Sequence, residues 1–226
     1  MEIKTLICNK ANYGSKRPMD NLYIIIHYTG NDGDTALNNA TYYHRDTPKT
    51  SAHFFVDDKD IYSSVPLTHT AYSVGGDKYE SCSWSGGGTM HGIIKNTNSI
   101  NIEMCDNSSK DGKISLTEKT RKNTEDLVVD LMLKYNIPLE RVYRHFDVTG
   151  KICPAYFVPY CEHENDGQDY WEFFKSNIKE KYEARMNKDF QDILIEKGIL
   201  DSRVSDADRI WQAKLLYNTL KFLEKI

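Results

Sequence analysis

Apolar and polar positions divide the chain into short segments of different period. Leu22-Tyr23-Ile24-Ile25-Ile26-His27 is an unbroken β-branched and aromatic run, the pattern of a strand covered on both faces. Gly30-Asn31-Asp32-Gly33-Asp34 is a turn cluster, and Thr35 to Arg45 after it reads as a short helix. Ala52 to Val56 and Ile61 to Val65, separated by Asp57-Asp58-Lys59-Asp60, predict a β-hairpin that Pro66 ends. Ser99 to Met104 alternates as a strand does, and Leu127, Val128, Leu131, Met132 and Tyr135 recur on one helical face before Pro138. Arg141 to His145 is a further short strand that runs into the loop Thr149-Gly150-Lys151-Ile152-Cys153-Pro154.

Two stretches break this alternation of strands and helices. Between Leu67 and Thr97 neither period holds, and Gly75-Gly76 and Gly86-Gly87-Gly88 fall there. A loop of that length inside a compact domain is usually functional. Beyond Trp171 there is no proline and almost no glycine, and Ile210, Ala213, Leu216, Leu220 and Leu223 recur at helical spacing. Two or three helices are expected there, with Gly198 as a C-cap between two of them. The shift in composition predicts a catalytic-sized domain over residues 1–182 and a small all-α module over 183–226.

Composition narrows the function classes. The chain has 226 residues, 29 Lys+Arg against 33 Asp+Glu, and a formal net charge of -4. Nucleic-acid binding needs a concentrated basic stripe, and none is present. The longest apolar run, Leu22 to Ile26, is far short of the ~20 residues that span a bilayer, so membrane insertion is not expected. Met1 to Cys8 has neither an extended apolar stretch nor a small-residue cleavage site, so the expectation is synthesis in the cytoplasm without a signal peptide. Five cysteines at irregular spacing do not suggest a disulfide framework.

Candidate chemistry gathers on His27, at the end of a buried strand, and on His145 and Cys153, which bracket a loop. Imidazole nitrogen and thiolate are preferred zinc donors, and three protein ligands leave a fourth position open, as a hydrolase requires. Each residue taken singly also fits a structural role. Other metal patterns fail: His163-Glu164 is followed by Asn165-Asp166-Gly167, so His-Glu-x-x-His is absent, and there is no Cys-x-x-Cys pair. Cys161 and His163 alone make only an accidental pairing.

The contexts of these residues carry a family resemblance. Ile24-Ile25-Ile26-His27-Tyr28-Thr29, Ser51-Ala52-His53-Phe54-Phe55-Val56, Asn98-Ser99-Ile100-Asn101-Ile102-Glu103 and Arg144-His145-Phe146-Asp147 through Lys151-Ile152-Cys153-Pro154 occur in that order. The chain thereby resembles type 2 N-acetylmuramoyl-L-alanine amidases over roughly residues 20 to 175. That zinc family includes phage endolysins and peptidoglycan recognition proteins. The resemblance implies an α/β fold, with a central mixed β-sheet flanked by helices and the metal in a surface groove. It implies one Zn²⁺ per chain held by His27, His145 and Cys153, with bacterial peptidoglycan as partner.

The same resemblance assigns Glu103 as the proton acceptor for the attacking water and Lys151 as the cation that faces the oxyanion. It matches His69 to a histidine of the substrate groove, there either to contact substrate or to pack the loop. Ala52 stands where some members carry a catalytic tyrosine, which shifts weight onto Glu103 and leaves His53 either a structural residue or one that supports the site from behind its ligands. Asn101 replaces a more usual glycine. The rival readings are a cysteine hydrolase with Cys153 as nucleophile and His145 as base, and a wall-binding module without catalysis. The near-neutral tail offers its apolar stripe as core or as a homodimer face. An endolysin made in the bacterial cytoplasm and acting on the wall after release fits the expected lack of a signal.

Overall fold

The structure, a computed structural model, describes residues 2–20, 22–80, 82–106, 112, 115–159, 167–200 and 207–222. The elements in chain order are β1 (Ile3–Thr5), β2 (Tyr13–Lys16), β3 (Tyr23–Tyr28), α1 (Ala36–Arg45), β4 (Phe54–Val56), β5 (Ile61–Ser63), β6 (His69–Ala71) and α2 (Cys82–Ser85), then β7 (Ser99–Met104), α3 (Glu118–Tyr135), β8 (Val142–Arg144), α4 (His145–Thr149), α5 (Gly167–Glu196) and α6 (Ala207–Phe222). Short 3₁₀ turns connect several of them. Two compact units are formed, Met1–Ile178 and Lys179–Ile226.

The first unit is organised by a mixed sheet in the order β1-β5-β4-β7-β3-β8, flanked by helices as the resemblance implies. β4, β7, β3 and β8 run parallel, whereas β5 is antiparallel to β4. β3 is paired on both edges, and Ile24, Ile25 and Ile26 are fully buried. Each contributes roughly 1.5–3 kcal/mol of apolar burial, so the unbroken isoleucine run fixes the centre of the fold. The hairpin forms as expected, with Phe54 opposite Ser63 and Val56 opposite Ile61. Thr35 caps α1 by accepting from the Asn38 amide, and α1 packs Ala36 and Ala40 against Phe55. α3 ends at Asn136, which adopts the left-handed conformation two residues before Pro138.

Strand alternation in β7 sorts residues by role. Ile100, Ile102 and Met104 are fully buried and point to one face, while Asn101 and Glu103 point to the other, alongside Ile25 and His27 of β3. The aperiodic segment after Leu67 holds β6, which pairs with β2 in a separate two-stranded sheet, and the short α2. Its remainder is irregular and is strapped to α4: Tyr79 N–H donates to the Thr149 carbonyl (2.8 Å), Gly88 N–H to Phe146 (2.9 Å) and Met90 N–H to Asp147 (2.8 Å). The first turns of α5 dock through Trp171 and Phe174, which lie 5.6 and 5.0 Å from the Phe157 ring.

In the second unit Phe190, Leu194 and Ala213 form a buried cluster flanked by Ile210, Tyr217 and Leu220. Gly198 (φ +66°) ends α5, with Ile199 N–H donating to the Leu194 carbonyl, so this glycine acts as the expected cap. Leu216 departs from the expected stripe. It sits at the margin of the helical face and remains exposed with Trp211 and Leu215, while Tyr217 takes the inward place. Leu223, Cys161 and His163 lie outside the described residues.

The compact units divide at Ile178, a few residues before the boundary read from composition, because α5 begins within the first unit and continues into the second. Deletion of residues from Met186 onward is expected to leave a soluble protein with a cooperative thermal transition. Insolubility, or loss of the transition by circular dichroism, would show that the helical tail is part of one core.

Candidate functional site

The carboxyl ends of parallel strands are where open α/β sheets place their ligands, and three strands end together here. His27 and Glu103 are register partners across β3 and β7, and Phe55 of β4 is the next partner beyond Glu103. Ile26 is opposite Arg144, so the residue after each, His27 and His145, falls side by side at the strand ends. Their rings are 4.7 Å apart. His145 opens α4, whose position is held by Arg144 and Asp147: Arg144 Nη2 donates to Asp147 Oδ1 at 2.7 Å, and the Arg144 backbone N–H to Oδ2 at 2.8 Å.

The chain then returns Cys153 to the same point. Gly150 (φ +80°) ends α4, and Phe146 N–H donates to the Cys153 carbonyl at 2.9 Å, closing the loop on itself. Gly150 is constrained twice, since a Cβ there would stand 1.8 Å from Cys82 Sγ. As a result, donor atoms of His27, His145 and Cys153 all lie within 4.8 Å of one another, and all three residues are buried. Cys153 Sγ is 3.8 Å from His27 Nδ1. Two ligands of a tetrahedral zinc with ordinary Zn–N and Zn–S bonds stand about 3.6 Å apart, so the spacing suits that ion.

Electrostatics agree with a cation site. Burial holds the His27 imidazole down at about 4 and the His145 imidazole at about 2, so both are neutral donors at pH 7. Burial pushes the Cys153 thiol well up, so an adjacent cation is what would make it a thiolate. Among the described residues His145 Nδ1 and Glu103 Oε2 are buried polar atoms without a hydrogen-bond partner, a costly state that a bound ion and its water would relieve. Glu103 Oε1 is 3.9 Å from His27 Nδ1. Burial raises the Glu103 carboxyl to about 8, with Lys151 drawing it down.

These residues line a cavity of about 220 Å³ that also includes Lys151. The rest of its wall carries hydroxyls and amides that the sequence reading did not single out, among them Asn31, Tyr43, Thr50, Ser51, Tyr72 and Ser73. Ser51 Oγ accepts from Tyr72 N–H (3.0 Å) and Ser73 Oγ donates to the Ser51 carbonyl, joining the hairpin entry to the aperiodic segment. No periodicity links two segments so far apart; the only signal was the length of the second. His69 is not among the lining residues: it lies on β6, with its ring edge-on to Tyr13 at 5.4 Å. His53 is fully buried and is hydrogen-bonded within the sheet, its Nδ1 accepting from Asn101 N–H at 3.0 Å.

Residues 17–156 match the family described as N-acetylmuramoyl-L-alanine amidase. Among curated proteins, the N-acetylmuramoyl-L-alanine amidase CwlL of Bacillus licheniformis is 37% identical over 143 residues, covering 60% of this chain and 36% of CwlL. The corresponding amidase BlyA of Bacillus subtilis (strain 168) is 32% identical over 167 residues, covering 71% and 42%. The chain thus spans well under half the length of these relatives. Among solved structures, the catalytic domain of XlyA aligns with a TM-score of 0.59 at 30% identity, over 79% of this chain and 99% of that one. A mutant endolysin from Bacillus subtilis aligns with a TM-score of 0.58 at 31% identity, over 79% and 99%.

Buried neutral histidines carry a pH signature. His27, His145 and His53, the last held by burial at about 3, have folded values below the unfolded value near 6.5. Their contribution to stability is therefore complete above about pH 6.5 and is lost as pH falls toward the folded values. Chelator-treated Glu103→Gln protein, which lacks the raised carboxyl that titrates with the opposite sign over the same range, is expected to lose roughly 1–2 kcal/mol per imidazole between pH 7 and pH 5, read from urea midpoints. Equal midpoints at the two pH values would contradict the neutral, buried assignment.

Proposed function

The chain belongs to the N-acetylmuramoyl-L-alanine amidase family, and we propose that it is a zinc hydrolase cutting the amide between N-acetylmuramic acid and L-alanine in bacterial peptidoglycan. The observation that carries this reading is the convergence of His27, His145 and Cys153 beside Glu103 and Lys151 in one cavity. His27, His145 and Cys153 would hold the ion. When bound, zinc supplies a Lewis acid with an open coordination position at which water is activated.

The remaining steps fall to the chain's own groups. Glu103, 3.9 Å from the nearer nitrogen of His27, is placed to take a proton from the attacking water and to return it to the leaving amine of alanine. Lys151, exposed at the cavity mouth on the loop before Cys153, brings a positive charge to where the carbonyl oxygen becomes negative. The hydroxyl-bearing wall of Thr50, Ser51 and Ser73 offers donors and acceptors to sugar and peptide groups. A nucleophilic thiol needs access and a lowered pKa; Cys153 is 3% exposed and shifted upward, which weighs against the cysteine-hydrolase alternative.

An endolysin role is part of the proposal. It is supported by the similarity to the Bacillus subtilis endolysin structure. None of the helices among the described residues is long and apolar enough to cross a membrane.

Digestion of purified cell walls is expected to release new alanine amino groups without new reducing sugar ends, and a chelator should abolish release until zinc is restored. Glu103→Gln should keep about one zinc per chain while losing on the order of 10²–10⁴-fold in activity. Lys151→Ala should also keep zinc and lose turnover. Reducing ends, or amines from another stem residue, would contradict the amidase reading, and zinc loss in Glu103→Gln would make that residue a ligand.

A further inference from the structure

The Asn101 side chain is committed to one of the three metal-site residues. Asn101 is fully buried and its Oδ1 lies 3.0 Å from His27 Nε2, in a histidine that is 2% exposed. The orientation of the amide follows from its other end. Ser99 Oγ donates to the Lys95 carbonyl (2.9 Å), so toward Asn101 it can only accept, and Asn101 Nδ2 donates to it at 3.1 Å. The Ser99 carbonyl, another obligate acceptor, also faces Nδ2 at 3.4 Å. The oxygen of the amide therefore faces His27, and an oxygen acceptor at 3.0 Å requires a proton on Nε2.

The backbone under that amide is fixed as well. His53 N–H donates to the Asn101 carbonyl at 3.0 Å, and Asn101 N–H donates to His53 Nδ1 at 3.0 Å. A backbone N–H can only donate, so His53 Nδ1 accepts and its Nε2 carries the proton, which it gives to the His69 carbonyl at 3.1 Å. His53, structural at first sight, thus clamps the residue that orients His27.

From this geometry we propose that Asn101 is a positioning residue: it holds His27 as the Nε2–H tautomer, leaving the Nδ1 lone pair turned toward Cys153 and His145. A ligating histidine whose second nitrogen donates to a fixed acceptor is held in tautomer and in ring orientation. The use of this arrangement rests on the zinc reading above, but the tautomer is a property of the metal-free protein. Removal of the amide would leave a buried N–H without a partner and would free the ring to present either nitrogen.

The test measures both properties on the full chain. In metal-free wild type, ¹⁵N-histidine long-range correlation spectra should show His27 as the Nε2–H tautomer. Competition with a chromophoric chelator should give Asn101→Ala a zinc Kd weaker by about 10–100-fold. In metal-free Asn101→Ala the same spectra should show the Nε2–H preference of His27 lost. An Nδ1–H tautomer in wild type would overturn the proposal by itself, whether or not the alanine variant folds. A wild-type zinc Kd retained in folded Asn101→Ala would overturn it too. Failure of wild type to take up zinc would instead count against the metal reading, with the tautomer spectrum still deciding the role of Asn101.

Discussion

The parallel register of β3, β7 and β8 is the constraint on which the site depends. Because Ile26 stands opposite both Ile102 and Arg144, the next residues along, His27, Glu103 and His145, emerge at one level of the sheet. Parallel strands buried on both faces tolerate little slippage, since a one-residue shift would turn Glu103 and Asn101 into the isoleucine layer. The loop to Cys153 then needs only to close on itself, through the bond from Phe146 N–H to the Cys153 carbonyl and the glycine turn at Gly150. The short helix α2 sets Cys82 against that glycine, with Cys82 Sγ donating to the Thr149 carbonyl at 3.0 Å.

The second consequence is desolvation. The same burial that makes β3 the centre of the core leaves neutral imidazoles, a protonated thiol and a raised carboxyl around one cavity. Without a cation these groups are a burden on the fold, since buried donors and acceptors without partners cost free energy. With one, the thiol can ionise and the carboxyl can return toward its ordinary range. Asn101 and His53 extend the arrangement a layer further out, through hydrogen bonds whose direction is fixed by main-chain groups.

Much of this was legible in the sequence where a side-chain period met a buried face. The Leu22–His27 run, the hairpin around Asp57 to Asp60, the alternation in Ser99 to Met104 and the Gly198 cap are realised because local pattern and tertiary burial agree. His27, His145, Cys153, Glu103 and Lys151 were legible through the family motifs and are brought into one cavity. β1, β2 and β6 were not, being three or four residues long and defined by partners far along the chain. His69 belongs to one of these strands, which explains its place outside the cavity. The Thr50-Ser51 and Tyr72-Ser73 wall and the orienting role of Asn101 depend on hydrogen bonds between distant segments, which no spacing rule encodes.

The central claim is that two imidazoles and one thiolate from these three positions form a single zinc site with an open position. X-ray absorption spectroscopy of protein loaded with one equivalent of zinc tests it most directly. The account predicts a four-coordinate shell with one sulfur at about 2.3 Å and three lighter ligands at about 2.0–2.1 Å, two of them with imidazole scattering. A shell without sulfur, or with two or more sulfurs, would contradict it, because Cys153 is the one cysteine among the described residues that stands beside the two histidines.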